Sequence, residues 1–159
     1  MRYVLLLVCV MVTGCQVPSG PGNAFFQSSN QEGVVSARSV SFYNSFTAAE
    51  SQGATESGRI PVWVPRSARN LNETHSVDTV QSLLAFEFDP GDREMLTPTC
   101  QRVSANDIQF PALQADWWPP DLRDAAGAIA SGFAIYDCTN EMGYLAIDES
   151  GGQAYFWIP

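Results

Sequence analysis

Apolar residues first run together at positions 3–12, behind a lone Arg2. The run is about half of the roughly 20 residues that a membrane-crossing helix needs. Its length, single positive charge and position match the core of an export signal. The other reading, a buried helix or strand, fits poorly because a core element rarely starts behind a lone Arg at the first residues. From residue 16 to 57 the apolar pattern lapses and Ser, Gly, Gln, Asn and Thr dominate. That is the composition of a flexible tether, with ends roughly 35 Å apart by the scaling of a Gly/Ser coil. Residues 34–46 interrupt it with Val34, Val35, Val40, Phe42, Tyr43 and Phe46. Two readings stay open there: a short strand or helix docked on the domain, or disordered chain.

The folded domain is expected over residues 58–159. Ile60-Pro61-Val62-Trp63-Val64-Pro65 is extended by its prolines, and residues 65–68 suggest one helical turn. Residues 71–77 alternate loosely, as a strand would. The clearest strand spans 80–88, where Val80, Leu84, Phe86 and Phe88 share a face and Gln81 and Glu87 point away. Asp89-Pro90-Gly91-Asp92 then reads as a helix start, with Asp89 as N-cap and Pro90 at the first helical position. Thr97-Pro98 ends that helix, and Met95 and Leu96 are its expected buried residues. Residues 100–123 are irregular, and 121–130 suggest a brief Ala-rich helix. Strands over 133–138, 144–148 and 154–158 close the chain, the last two joined by the hairpin turn Ser150-Gly151-Gly152. The sum is an α+β domain: a small antiparallel sheet of about four to five strands, one short helix and a long irregular loop over one face.

The four residues Val12-Thr13-Gly14-Cys15 resemble the lipobox of bacterial lipoproteins, with Gly14-Cys15 as its strict part and Val12 and Thr13 as variants. The resemblance implies that residues 1–14 are a signal peptide and that Cys15 opens the mature chain. Cys15 would then carry a thioether-linked diacylglycerol and an acylated amine, and several acyl chains anchor stably where one is marginal. Residues 15–57 become a lipidated tether. Gln16, rather than Asp, follows the cysteine, which implies the outer membrane if the source is Gram-negative. Over 58–159 the order Ile60-Pro61, Val64-Pro65, Ser67-Ala68, His75, Asp78-Thr79, Phe86, Phe88, Trp117-Trp118-Pro119, Tyr136, Cys138 and Tyr155-Phe156-Trp157 is similar to that of small exported bacterial lipoproteins without assigned activity. Those motifs imply no catalytic residue.

Charge and cysteines narrow the picture further. The net charge is −9, and none of the cations is Lys. Nucleic acid and electrostatic binding to an anionic bilayer are thereby disfavoured. A basic protein partner is permitted, although acidity commonly serves solubility alone. Cys9 leaves with the signal and Cys15 would carry the lipid, leaving Cys100 and Cys138. In an exported chain such a pair reads as a disulfide, worth about 4 kcal/mol in the loop-entropy treatment. It would pin the segment after the helix to the first closing strand. A metal site would want more ligands than one His allows, and a catalytic Cys–His pair suits an oxidising compartment less well.

Candidate chemistry is sparse. His75 and Asp78 flank a turn, so Asp78 could orient His75 as a general base toward Thr74, Ser76 or Thr79. No Gly-x-Ser-x-Gly elbow accompanies them, and a structural histidine is the plainer reading. Trp117 and Trp118, if extended, point to opposite sides: both cap the core, or one is an exposed anchor for a partner or glycan. Trp63 and Trp157 read as core. Asp89, Asp92 and Glu94 lack the spacing of a calcium loop. No cofactor and no metal are expected. Three functions follow: a non-enzymatic binding or accessory domain tethered in the bacterial envelope, an inhibitor or immunity-type lipoprotein acting on a basic exported enzyme, and a small hydrolase using His75. All share the anchor, so Cys15→Ser is expected to move the chain from the membrane fraction to the soluble one. Retention of that variant in washed membranes would refute the anchor.

Overall fold

Leu83 and Leu84 are neighbours on one strand and end in different hydrophobic cores. The computed structural model describes residues 37–97, 100–148, 150 and 152–159. Its centre is a seven-stranded sheet in the order β1-β2-β3-β7-β6-β5-β4, antiparallel at every pairing. The strands are β1 (Arg38–Ser45), β2 (Arg69–Ser76), β3 (Ser82–Glu87), β4 (Gln101–Arg102), β5 (Ala134–Cys138), β6 (Gly143–Asp148) and β7 (Gln153–Ile158). Three short helices accompany them: α1 (Phe46–Ser51), α2 (Arg93–Leu96) and α3 (Ala125–Ala130).

Because side chains alternate across a strand, the register divides the sheet into two faces. Leu84 lies opposite Phe156, Phe156 opposite Leu145, and Leu145 opposite Tyr136. This first face carries Tyr43 and Leu71 as well, and is covered by Phe46 and Ala49 of α1, by Ala54, Ile60, Val64 and Ala68, and by Leu96 of α2. On the second face Leu83 lies opposite Trp157 and Trp157 opposite Tyr144. The long segment between β4 and β5 covers it with Ala105, Leu113, Ala115, Trp118 and Leu122, joined by Ala128 of α3. Trp157 is fully buried, its indole N–H donates to the Gln109 carbonyl at 2.8 Å, and Phe110 stacks on its ring.

The antiparallel sheet, the scarcity of helix and the long covering loop agree with the α+β reading. The strand count does not: seven strands replace four to five, while α2 and α3 fall in the stretches that suggested helix and α1 is additional. β4 is only two residues long, too short for periodicity to register. β1 and α1 come from residues assigned to the tether, so the sheet begins well before residue 58. The choice left open for residues 34–46 resolves, over 38–46, to an edge strand and a helix start, while the segment before residue 37 lies outside the described residues. β1 escaped recognition because its pattern is inverted. Ser39, Ser41 and Tyr43 take the core side, while Val40 and Phe42 face outward and remain 60 % and 55 % exposed.

Local details follow from residue chemistry. Ser45 caps α1 by accepting from the Ala48 N–H at 3.2 Å, and Asp124 caps α3 from Gly127 at 2.8 Å. Asp89 occupies the cap position ahead of Pro90 but makes no side-chain cap bond, and accepts from Arg69 instead. Val80 lies in the β2–β3 turn rather than in the strand, and is exposed. Met95 is likewise exposed, whereas Leu96 is buried. Gly152 closes the last hairpin with φ 64°, a region that suits glycine. The disulfide between Cys100 and Cys138 joins the segment after α2 to the end of β5, as the cysteine pair implied.

Among the described glycines, Gly143 is the most closely packed. A Cβ there would sit 2.5 Å from the Trp157 carbonyl oxygen and 2.7 Å from the Phe156 ring. Gly143→Ala is therefore expected to cost about 1–3 kcal/mol, the usual range for overpacking. Gly91→Ala, where an added Cβ meets nothing within 4 Å, should stay within about 0.5 kcal/mol of wild type. Denaturant unfolding of the two variants checks both, and equal stabilities would refute the assigned packing.

Candidate functional site

Two places on the first face combine exposure with chemistry. The first is a polar pair on β2. Glu73 and His75 are two residues apart on a strand, so their side chains rise side by side. His75 Nδ1 lies 2.7 Å from Glu73 Oε1, and the imidazole nitrogen donates when the carboxyl is ionised. Glu73 is completely buried, and its Oε2 has no hydrogen-bond partner. Burial pushes its carboxyl above the ordinary carboxylate range, while His75, the charge of Arg59 and Ser41 pull in the other direction. His75 is about one-third exposed and faces Ser39 on β1 and Ser82 on β3 directly across the ladders.

The partner expected for His75 was Asp78, and that pairing is not made. Asp78 is exposed in the turn after β2, where its backbone N–H donates to Ser76 Oγ. The strand runs through Ser76, so His75 points along with Glu73 and away from the turn. The proposed hydroxyls do not serve it either. Thr74 is buried with its Oγ1 unpartnered, Ser76 accepts from the Asp78 and Thr79 N–H groups, and Thr79 accepts from the Gln81 N–H. Glu73 was missed because residues 71–77 alternate only loosely. A firm strand reading of that stretch would have put residues 73 and 75 on one face.

The second place is a groove of about 590 Å³ lined by Phe46, Val62, Trp63, Val64, Arg66, Glu94 and Met95. Its floor is aromatic. Trp63 is half-buried, sits edge-on to Phe156 at 5.2 Å, and keeps a buried indole N–H without a partner. Val62 and Met95 project into water at 83 % and 53 % exposure. The Arg66 guanidinium lies 5.5 Å above the Phe46 ring and pairs with Glu50 at 3.2 Å. Apolar walls with a cationic and an anionic group at the rim can hold an apolar side chain and orient the polar groups beside it.

The tryptophan pair behaves otherwise than an exposed anchor would. Trp118 is buried, donates to the Leu122 carbonyl at 3.1 Å, and packs edge-on against Tyr155 and Trp157. Trp117 is half-buried against Trp118, with its indole N–H buried and unpartnered. Both indoles thus belong to the core on the second face. Asp89 accepts from Arg69 and Asp92 from Ser67. Among the described residues, no three His, Cys, Asp or Glu side chains converge as metal ligands. Cys15 lies outside the described residues, and none of the described helices is long and apolar enough to cross a membrane.

The profile of the YbbD head domain matches residues 38–87, about a third of the chain. That span holds β1, α1, β2 and β3, and with them Glu73, His75, Trp63 and most of the groove wall. No curated protein and no solved structure matches.

The buried carboxyl makes a pH dependence with a definite sign. Between the ordinary carboxylate value and the raised folded value, the native protein holds a proton that the unfolded chain has lost. The stability from this group is complete below the unfolded value and declines as pH rises through the folded one. Wild type should therefore lose stability relative to Glu73→Gln as pH rises from the ordinary carboxylate value toward the raised folded one. Denaturant unfolding across that range checks it. A wild type that gains on the variant as pH rises would show pairing with His75 outweighing burial.

Proposed function

We propose that the chain is a lipoprotein of the bacterial envelope whose domain binds a partner without catalysis. The anchor rests on Gly14-Cys15 behind the apolar run, and Gln16 favours the outer membrane in a Gram-negative cell. The binding role rests on one observation above the others: Val62 and Met95 stand exposed around a half-buried Trp63 in a groove with Arg66 and Glu94 at its rim. Apolar side chains gathered in a concavity are costly in water and mark interaction sites. The partner that suits them is an envelope protein offering an apolar side chain flanked by polar groups.

The hydrolase reading has less behind it. His75 has an orienting carboxyl in Glu73, but among the described residues no hydroxyl is hydrogen-bonded to its other ring nitrogen, and a base without a placed nucleophile carries little. The inhibitor reading would want a contact face of one charge sign, and the groove has both signs at its rim.

The test is capture of envelope proteins by the full-length tagged chain. Met95→Asp should weaken binding of the captured partner about tenfold or more, as expected for a residue at the centre of a contact. Ile129→Asp, exposed on α3 and outside the groove, should leave it unchanged. Equal capture by both variants would place the contact elsewhere.

A further inference from the structure

Among the described residues, three of the four most exposed large apolar side chains sit at one end of the sheet, and the fourth, Val62, borders it. Val62, Val80, Met142 and Val77 are 83 %, 75 %, 71 % and 63 % exposed. The register brings them together. Val77 and Val80 belong to the turn between β2 and β3, which returns at Ser82. Ser82 is paired with Ile158 of β7. Ser82, Ile158, Met142 and Val62 all line one hollow of about 290 Å³. Met142 belongs to the turn before β6, whose first residue pairs with the end of β5. Two turns and the end of β7 therefore form an apolar tip, with the Val62 loop at its border.

The chain enters the fold at this same tip. Arg38 is paired with Ser76, and the Val77 N–H donates to the Ala37 carbonyl at 2.8 Å. Ala37 is 22 residues after Cys15, a length that spans at most about 75 Å when fully extended. A lipid anchor at Cys15 would keep this end nearer the bilayer than the opposite one, and tethering turns the encounter into an intramolecular one with a high effective concentration.

Charge does not drive the contact. Arg38 and Arg59 lie at the tip, yet Asp78 and Glu141 lie there too, and the Arg38 guanidinium is engaged with the Gln114 carbonyl. A chain of net charge −9 gains nothing from anionic headgroups. What the tip offers is exposed apolar area, valine and methionine on turns, and interfacial binding strengthens with the apolar area removed from water.

We propose that the tip formed by Val77, Val80 and Met142 rests in the surface of the lipid bilayer that holds the chain. This depends on the anchor at Cys15, and it leaves the groove around Met95, which is built partly on α1 and α2 at the far ends of β1 and β3, turned toward the aqueous space.

An environment-sensitive fluorophore on the exported full chain tests it. The probe goes on Val80→Cys at the tip, and on Gly91→Cys, at the other end of the sheet where an added Cβ meets nothing. Wild type, with Cys100 and Cys138 bridged, is the labelling blank. Each chain is reconstituted in phosphatidylcholine vesicles carrying nitroxide-labelled lipid, and flotation reports anchoring separately from contact. The expected result is a blue shift and loss of fluorescence for the Val80 probe, unchanged at high salt, with the Gly91 probe reading as water. A chain that floats while its Val80 probe reads as water overturns the contact and leaves the anchor standing. A Val80 probe that is shielded but not quenched by lipid means that a protein covers the tip, and overturns it as well. A chain that does not float overturns the anchor and the contact together.

Discussion

The pairing of β3 with β7 holds the molecule together. Each half of the chain is a meander of adjacent strands, β1-β2-β3 and β4-β5-β6-β7, and within the sheet the two are joined where Ser82–Glu87 lies against Gln153–Ile158. The pairing joins residues some seventy positions apart in sequence and so closes a long loop. It also creates both cores at once. Leu84 beside Phe156 begins one, and Leu83 beside Trp157 begins the other. A slip of one residue would exchange the two sets, placing Trp157 under α1 and Phe156 under the long loop. Two buried faces make that register costly to change. The YbbD head similarity stops at residue 87, which is the last residue of β3, so the matched span is the first meander with its helix.

Much of this was legible because the central strands obey simple chemistry. The closing strands were readable to within a residue or two from their aromatic and branched residues, and the disulfide from cysteine arithmetic. β1 was not legible, for its apolar residues face outward and its core side carries serine. Ser41 lies there because its neighbour across the ladder is Glu73, a polar residue buried for reasons that only the neighbouring strands reveal. Val80 failed for the opposite reason: it fits the alternation of β3, but the chain is already turning where it lies. The strand alternation could not say where the turn ended.

The candidate site shows the same limit. That His75 has a carboxyl beside it was readable as a type of contact, and the nearest turn offered Asp78. Strand geometry chooses Glu73 instead, because residues two apart share a face. Trp63 read as core and is only half so: one edge packs on Phe156 while the loop holding it leaves Val62 and Met95 in water. The groove depends on a helix, an extended loop and a second helix arriving at one place, and no local pattern encodes that meeting.

The two edges of the sheet are unlike. β4 is two residues long and stapled by the disulfide beside it, so it presents almost no unpaired backbone. β1 is eight residues long, free of proline, with Val40 and Phe42 outward. A long edge with apolar side chains is a template on which another strand can grow, and β1 lacks the lysines that often blunt such an edge. Protection falls to the charge of the whole molecule. Repulsion between copies of net charge −9 acts over a Debye length of about 8 Å at physiological salt and shrinks as salt rises. Colloidal stability is thus delegated to a long-range force rather than built into the strand, and concentrated brine is the condition that removes it.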